Sequence, residues 1–211
     1  MNKKVLAITI TYNRLELTKK YLGELKAKAG YPFEHIVVDN GLMDGTPNWL
    51  EKNGYAAVYN KENIGISKAF MRGYEEALKI YQKPDYILKF DNDCEIVTES
   101  ILDKMVNFMV RSGDKCVLAP IDRNLDPNYE PKVNESIRNL YGENVKITTH
   151  LGGMFCLIPR LAMEKLVEAG GIEKDVYRGH FWIKEGFRCV YLKDLFVRHM
   201  GFSPNLDNYK F

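Results

Sequence analysis

Short apolar runs alternate with stretches of helical periodicity through the first half of the chain. The apolar runs predict buried strands over Val5–Thr11, Glu34–Asp39, Ala56–Asn60 and Tyr86–Phe90. Between them, apolar positions three and four residues apart predict helices over Leu15–Ala29, Pro47–Asn53 and Ser67–Tyr81. This strand–helix order predicts parallel pairing with right-handed crossovers, and therefore an α/β fold with a mostly parallel sheet flanked by helices.

The pattern is less regular after residue 93. Helices are predicted over Thr98–Arg111, with Thr98 as the cap, and over Leu161–Ala169. Further strands are predicted over Cys116–Ala119, Met154–Ile158 and Arg188–Leu192. The segment 121–146 is rich in Asp, Asn, Pro and Tyr and predicts an irregular surface segment. Because no repeat or linker is visible, we expect residues 1–211 to form one domain.

Composition and charge narrow the possible classes of protein. The 211 residues are 45% hydrophobic and 27% charged, which is typical of a globular chain. The net charge of +2 argues against a nucleic-acid partner, because dedicated nucleic-acid binders carry a strong basic excess. No run approaches the ~20 apolar residues of a membrane span. Four widely spaced cysteines, two of them (Cys116 and Cys156) in apolar runs, favour buried thiols and a cytoplasmic location.

Polar residues follow the end of each of the first four predicted strands. They are Tyr12-Asn13-Arg14, Asp39-Asn40, Asn60 to Asn63, and Asp91-Asn92-Asp93. Open parallel sheets bind their ligands outside the carboxyl ends of the strands. The sequence therefore predicts a ligand site that these four segments share.

Two of these segments have a specific chemical interpretation. Asp91 and Asp93 can share Mg²⁺ or Mn²⁺ with phosphate oxygens, although an ordinary polar turn is the alternative. Residues 63–68 open a helix, where Gly65 lets backbone N–H groups approach phosphate while Lys68 and Arg72 add charge. The alternative there is a helix capped by Ser67 with a solvated basic face.

Five motifs in order carry a resemblance to a known family. They are Thr9 to Arg14, Val38 to Gly41 with Asp44-Gly45-Thr46, Asn63-Ile64-Gly65, Asp91-Asn92-Asp93, and Gly152-Gly153-Met154-Phe155. Over residues 5 to 200 the chain resembles the GT-A fold glycosyltransferases, specifically the inverting family two. The resemblance implies a nucleotide-binding half over residues 1–93 and an acceptor-binding half over residues 94–211.

The resemblance also implies a role for individual residues. Thr11 and Tyr12 would border the nucleobase, and Asp39 would hydrogen-bond it. The remaining nucleotide-binding set would be Asn13, Arg14, Asn63, Gly65, Lys68, Arg72, Asp91 and Asn92. Asp91, Asp93 and His199 would hold Mn²⁺ or Mg²⁺. Gly152 and Gly153 would lie where the donor sugar meets the acceptor.

The catalytic base is the point at which the sequence departs from the family pattern. Relatives place an acidic residue about nine residues before the glycine that matches Gly186, and Tyr177 stands there instead. Our candidate base is Asp175, with Glu173, His180 and Glu185 as alternatives, and a helix-capping role for Asp175 stays open. Trp182 either offers an aromatic platform on the acceptor side or packs inward from a short helix.

These features predict transfer of one sugar from a nucleoside-diphosphate sugar, of UDP or dTDP type, to a hydroxyl acceptor. The acceptor would be a glycan, a lipid-linked molecule or another hydroxyl compound. We expect no transmembrane segment, while peripheral contact with the inner face of a membrane stays open. Two alternatives are a sugar nucleotidyltransferase, whose glycine-rich loop is missing after the first strand, and a non-catalytic binding module of the same fold.

Overall fold

The first half of the chain forms four neighbouring parallel strands. The computed structural model describes residues 2–41, 44–123, 138–172 and 174–202, with the backbone alone at 175, 176 and 202. The four strands are β1 (Val5–Thr11), β2 (Glu34–Asp39), β3 (Ala56–Tyr59) and β4 (Tyr86–Asp91), and they lie in the order β3-β2-β1-β4. Thr11 pairs with Asp39 and Ile10 with Asp91, so these strands end at one edge of the sheet.

Six further strands in the described part of the chain extend the sheet beyond β4. They are β5 (Cys94–Ile96), β6 (Cys116–Asp122), β7 (Arg138–Leu140), β8 (Glu143–Thr148), β9 (Phe155–Pro159) and β10 (Arg188–His199). The order continues β4-β9-β6-β10-β8-β7, and β5 pairs with the end of β10. Since β9 is antiparallel to both β4 and β6, β6 is parallel to β10, and β8 is antiparallel to both β10 and β7, seven of the ten strands run in one direction. The predicted α/β fold with a mostly parallel sheet is confirmed.

Helices cover both faces of the sheet. One face carries α1 (Leu15–Lys28), α2 (Thr46–Lys52) and α4 (Ile101–Arg111), and the other carries α3 (Ile66–Ile80), α5 (Arg160–Glu168) and α6 (Asp175–Lys184). In α3 the buried residues Ala69, Phe70, Tyr74 and Ala77 recur at helical spacing. Each fully buried large apolar side chain contributes about 1.5–3 kcal/mol. The site therefore rests on a sheet that is packed on both sides.

Three sequence predictions about elements are wrong in detail. Ser100, not Thr98, is the residue that caps α4, and the Thr98 hydroxyl instead accepts the Phe196 N–H at 2.8 Å. Segment 121–146 is not irregular where it is described, because it contains β7 and the start of β8; residues 124–137 lie outside the described residues. The two strand-like runs in the sequence, Arg188–Leu192 and Leu195–Arg198, form one strand that reaches His199, with a bulge between Leu192 and Phe196.

The cysteines agree with the sequence prediction. Cys94, Cys116, Cys156 and Cys189 are all free thiols and all buried. They lie on β5, β6, β9 and β10 respectively, so each is surrounded by the packed sheet. Packing rather than cross-linking therefore accounts for their positions.

Candidate functional site

One edge of the sheet collects the polar residues that the sequence analysis singled out. β1, β2, β3, β4, β6 and β10 end at this edge, and β9 begins there, since Phe90 pairs with Phe155 and Val197 with Asp122. We call this the carboxyl edge, defined by residues 11–14, 39–41, 59–68, 91–93, 150–154 and 199–201. Segments that are distant in sequence meet there because parallel strands align their ends.

Asp39 stands at one end of this edge, on β2. Its side chain is fully buried, and neither carboxylate oxygen has a hydrogen-bond partner among the described residues. Burial, with a smaller contribution from the charge of Asp44, raises the pKa of Asp39 to about 6. A buried acceptor without a donor costs about 1–3 kcal/mol, so a ligand N–H placed here would recover that cost.

Two tyrosines flank this carboxylate with partly exposed rings. Tyr12 is 38% exposed and Tyr59 is 39% exposed. The Tyr12 ring packs over Gly41, where a side chain would stand 2.8 Å from the ring edge. Burial raises the pKa of Tyr59, and the negative charges of Glu51 and Asp39 raise it further. Exposed aromatic faces beside a buried carboxylate form a surface suited to a flat, N–H-bearing ring.

A network of asparagines holds the loop between β3 and α3. Asn60 donates to Asn40 Oδ1 at 2.9 Å, and Asn40 donates to Asn63 Oδ1 at 2.8 Å. The Ile64 N–H donates to Asn40 at 3.2 Å, and the Gly65 N–H donates to Asn63 at 2.9 Å. Arg72 reaches back from α3 and donates to Asn60 Oδ1. This network fixes the loop that precedes the helix.

The first turn of α3 differs from the capped-helix alternative. Gly65, with a φ of 84°, is the cap residue, and no side chain forms a capping hydrogen bond. Ser67 lies inside the helix and is buried, whereas Lys68 is exposed. Lys68 and the N-terminus of α3 therefore both present positive charge to the solvent.

The end of β1 is buried, whereas the residues that follow it are partly exposed. Thr11 is fully buried, and its hydroxyl accepts from the Asn92 amide at 3.2 Å. Asn92 also donates to Thr18 at 2.9 Å, so it ties β4 to β1 and α1 beneath the edge. Asn13 and Arg14 both have left-handed backbones, with φ values of 57° and 63°. That conformation costs about 1–2 kcal/mol per residue and is typical of functional sites.

Asp93 and His199 meet at the other end of the carboxyl edge. His199 Nε2 lies 3.3 Å from Asp93 Oδ2, and Arg14 Nη1 donates to the same oxygen at 2.7 Å. Burial opposes ionisation of Asp93, but His199 and then Arg14 outweigh it and lower its pKa. Burial likewise opposes protonation of His199, and Asp93 outweighs it and raises its pKa. The two side chains form a coupled pair.

Asp91 does not join that pair. Lys89 Nζ donates to Asp91 Oδ1 at 2.5 Å and to the Gly153 carbonyl at 2.5 Å. Burial raises the pKa of Asp91, and Lys89 opposes the shift without cancelling it. Arg178 of α6 is also buried. Burial lowers its pKa, and the charge of Asp91 acts in the opposite direction.

The predicted metal-binding set is therefore only partly assembled. Among the residues that the structure describes, no three His, Cys, Asp or Glu side chains gather to hold a metal ion, and Asp91 is hydrogen-bonded by Lys89. Asp93 and His199 nevertheless suit a divalent cation that takes oxygen and imidazole ligands. A side chain at Gly201 would stand 2.6 Å from Asp93 Oδ2 and 3.2 Å from His199 Nε2, so the glycine keeps this space open.

Gly152 and Gly153 lie near Asp91, since Lys89 contacts both Asp91 and the Gly153 carbonyl. The Gly152 N–H donates to the Tyr191 hydroxyl at 2.8 Å, and Gly153 O accepts from Lys89. The Asp91 N–H donates to Met154 O at 2.9 Å, which joins the loop to the end of β4. This loop is thus held by side chains from two different strands.

Three of the candidate catalytic bases lie on α6 or directly after it. Asp175 is the first residue of the helix, His180 is exposed at its middle, and Glu185 accepts from Lys165 at 2.5 Å. Glu173 lies outside the described residues. Trp182 is 3% exposed and belongs to the core, which corresponds to the inward-packing alternative.

A close approach places α6 against the loop that follows β8. A side chain at Gly179 would stand 2.2 Å from the Thr149 carbonyl oxygen and 2.6 Å from His150 Cα. Glycine is therefore required where the helix crosses this loop. Arg178, the residue before Gly179, is buried.

Four residues of the site were not singled out from the sequence: Tyr59, Lys89, Arg178 and Tyr191. Lys89 was detectable, because a lysine inside the apolar run Tyr86–Phe90 contradicts the pattern of a buried strand. Tyr59, Arg178 and Tyr191 gave no such signal, since tyrosine and arginine are common in ordinary half-buried positions. Their roles follow only from which strand ends meet.

Comparisons with known proteins bear on the family and the fold of the chain. The family model for glycosyl transferase family 2 matches residues 6–166. No curated protein matches the sequence. Among the described helices, none combines the length and apolar character that crossing a membrane requires.

Solved structures share the fold at low sequence identity. The mannosyltransferase PcManGT from Pyrobaculum calidifontis, in complex with GDP-Man and Mn²⁺, has a TM-score of 0.68 and 19% identity over 95% of this chain and 57% of its own. S. aureus TarS 1–349 with UDP-GlcNAc has a TM-score of 0.68 and 18% identity over 95% of this chain and 61% of its own. GalNAc-T7 with UDP, GalNAc and Mn²⁺ has a TM-score of 0.68 and 12% identity over 94% and 43%.

These structures confirm the GT-A fold that the motifs suggested. The chain spans between 43% and 61% of the length of these three structures. The family model, in contrast, matches well over half of the chain itself. The protein belongs to glycosyl transferase family 2.

Proposed function

We propose that this protein transfers one sugar, with inversion, from a nucleoside-diphosphate sugar to a hydroxyl acceptor, with the help of a divalent cation. The observation that carries the proposal is the buried carboxylate of Asp39, which has no partner among the described residues and lies beside two exposed tyrosine rings. A nucleobase supplies what this pocket requires, namely a flat ring with an N–H donor. The family membership supports the same conclusion.

The chemistry of Asp39 favours some nucleobases over others. An ionised carboxylate only accepts hydrogen bonds, so it prefers a base edge that presents ring N–H groups. Uracil and thymine each present one such group, and guanine presents one beside an amino group, so all three bases fit Asp39; a UDP or dTDP donor stays our first expectation from the sequence resemblance. The relatives with bound donors carry UDP-GlcNAc in one case and GDP-Man in the other.

The diphosphate would lie between Asp39 and Asp93, where positive groups converge. Arg14, Lys68 and Arg72, together with the N-terminus of α3, supply that charge. Asp93 and His199 would hold Mn²⁺ or Mg²⁺. When bound, the cation would neutralise charge on the departing nucleoside diphosphate. Two of the relatives were solved with Mn²⁺.

The acceptor would enter from the side of α6. Asp175, at the start of that helix, is our candidate for removing the acceptor proton on the face opposite the leaving group. Glu185 is a weaker candidate because Lys165 already neutralises it. Glu173 and His180 stay as alternatives, and a glycan or a lipid-linked alcohol at a membrane surface is the expected acceptor class.

Calorimetric titration tests this proposal directly. We expect UDP, dTDP or GDP to bind with micromolar affinity in the presence of Mn²⁺, and Asp93→Ala to remove the metal-dependent part. Asp114→Ala is the matched control, since Asp114 bonds Tyr86 and Lys3 away from the carboxyl edge. Binding of none of the three nucleotides, with or without Mn²⁺, would refute the proposal. Slow hydrolysis of the donor would separate an enzyme from a binding module.

A further inference from the structure

Lys89 occupies a place where a lysine is costly. It lies in the middle of β4, opposite Cys156 of β9, and is 3% exposed. Removing an ammonium ion from water costs several kcal/mol unless it is paired and hydrogen-bonded. Its two contacts, to Asp91 Oδ1 and Gly153 O, are both 2.5 Å long. The buried ion thus joins a strand end to the loop before β9.

Tyr191 holds the same loop from the opposite side. It lies on β10, which is separated from β4 by β9 and β6, and its hydroxyl accepts the Gly152 N–H at 2.8 Å. Two successive glycines are therefore fixed by side chains from two strands that are not neighbours. A Gly-Gly peptide has the largest conformational freedom of any dipeptide, so these contacts remove freedom that binding would otherwise have to remove.

We propose that Lys89 and Tyr191 are positioning residues that clamp the Gly152–Gly153 peptide against Asp91 and thereby preorganise the subsite for the donor's sugar. This inference rests on the proposed function. The nucleobase pocket at Asp39 lies two strand spacings from β4, about 10 Å away. The clamp therefore acts on the sugar part of the donor and leaves the nucleotide part unaffected.

The test compares the affinity for a nucleoside diphosphate with the affinity for its sugar derivative. Tyr191→Phe removes only a hydroxyl, and one hydrogen bond corresponds to about a fivefold change. We expect this variant to bind UDP within about twofold of wild type, while its affinity for the best of UDP-glucose, UDP-galactose and UDP-GlcNAc falls about fivefold. GDP and GDP-mannose replace these probes if the first titration selects guanine.

Lys89→Met should show the same split with a larger effect, about tenfold for the sugar nucleotide. Because Asp91 would lose its partner, Lys89→Arg serves if the methionine variant is unstable. Lys89→Arg should restore part of the affinity, since it keeps the charge. Hydrogen exchange at the Gly152 and Gly153 amides should accelerate in Tyr191→Phe and Lys89→Met.

Two control variants make matched changes elsewhere. Tyr86→Phe removes a buried hydroxyl that bonds Asp114 at the opposite end of β4. Lys28→Met removes an ammonium that bonds the Ile96 carbonyl at 2.6 Å and Glu24 at 3.4 Å. Neither should change the ratio of sugar-nucleotide to nucleotide affinity.

The possible outcomes separate this inference from the proposed function. Equal losses of both affinities, or no loss of either, would overturn the clamp while nucleotide binding by wild type keeps the proposed function. Failure of wild type to bind any nucleotide would overturn both. A change confined to the sugar nucleotide, with faster exchange at the two glycines, supports the clamp.

Discussion

Two carboxylates at the ends of strands in one sheet differ in whether a charged side chain neutralises them. Asp39 ends β2 and Asp91 ends β4, with only β1 between them. Burial raises the pKa of both. Asp91 has the buried Lys89 at 2.5 Å, whereas the Asp39 oxygens have no partner within the described residues.

The difference between Asp39 and Asp91 shows which of the two carboxylates can still accept hydrogen bonds from a ligand. A paired carboxylate is fixed in position, and its charge is already neutralised. An unpaired one keeps its full capacity to accept hydrogen bonds, at the expense of folding stability. The Asp39 end of the edge is therefore incomplete without a donor, while the Asp91 end is assembled in advance. Substitutions at the two ends should change stability with opposite signs.

The largest expected effect on stability is that of Asp91→Asn. This change leaves the Lys89 ammonium buried without a countercharge, which we expect to lower the free energy of unfolding by about 2–3 kcal/mol, less than for a fully buried pair because Asp91 is partly exposed. Urea denaturation measures it. The double variant with Lys89→Met should recover most of the loss. Equal destabilisation in the single and double variants would contradict the pairing.

Asp39→Asn should act in the opposite direction. It removes an uncompensated buried charge, so we expect the free energy of unfolding to rise by about 1–3 kcal/mol. The affinity for the nucleoside diphosphate should fall roughly 10–50-fold, because a charge-assisted hydrogen bond becomes a neutral one. Calorimetry and urea denaturation measure the two quantities. If Asp39→Asn were less stable than wild type, the proposed contrast between Asp39 and Asp91 would be wrong.

The pH dependence of nucleotide binding should report the same carboxylate. With a pKa of about 6, Asp39 is ionised above that pH and accepts an N–H, so its own contribution to the affinity should be constant there. Below pH 6 affinity should fall by about tenfold per pH unit as the carboxylate takes up its proton. Titrations in Asp39→Asn should lack this transition. The contribution of Asp39 to stability runs the other way, decreasing as pH rises between about 4 and 6, because its folded pKa exceeds the unfolded value.

The smallest expected effect concerns the asparagine network beside Asp39. Arg72→Gln removes the contact to Asn60 and one positive charge near the proposed diphosphate. We expect about a fivefold loss of nucleotide affinity, which is the value of one hydrogen bond. Lys79→Gln, on the same helix and paired with Glu76 at 2.8 Å, is the control. An unchanged affinity in Arg72→Gln would place the diphosphate elsewhere.

The fold could be predicted from sequence where local pattern and tertiary role agree. β1, β2 and β4 are apolar runs because both faces of the sheet are covered, and their predicted bounds differ from the observed ones by at most one residue. β7 and β8 could not be recognised, because they are short, partly exposed and stabilised only by pairing with each other and with β10. Their identity as strands depends on a partner that lies some forty residues away.

The site was predictable to a similar extent. Strand ends and the topology rule placed Asp39, Asp91, Asp93 and His199 at one edge. The sequence could not show which positively charged side chain would contact each carboxylate. Lys89 contacts Asp91 and Arg14 contacts Asp93 because of the direction in which each side chain points, and sequence spacing does not reveal that direction. Asn92 illustrates the same limit, since it lies inside the acidic motif and yet points inward to Thr11 and Thr18.

The distribution of buried thiols has a practical consequence for measuring motion. Burial raises the pKa of Cys156 and Cys189 to about 12 and raises those of Cys94 and Cys116 as well. Alkylating reagents attack the thiolate, so labelling at neutral pH requires each residue to reach solvent first. All four lie on β5, β6, β9 and β10, while β1 to β4 contain no cysteine. Labelling rates will therefore record the opening of the half of the sheet that includes β9 and β10, and will not report on β1 to β4.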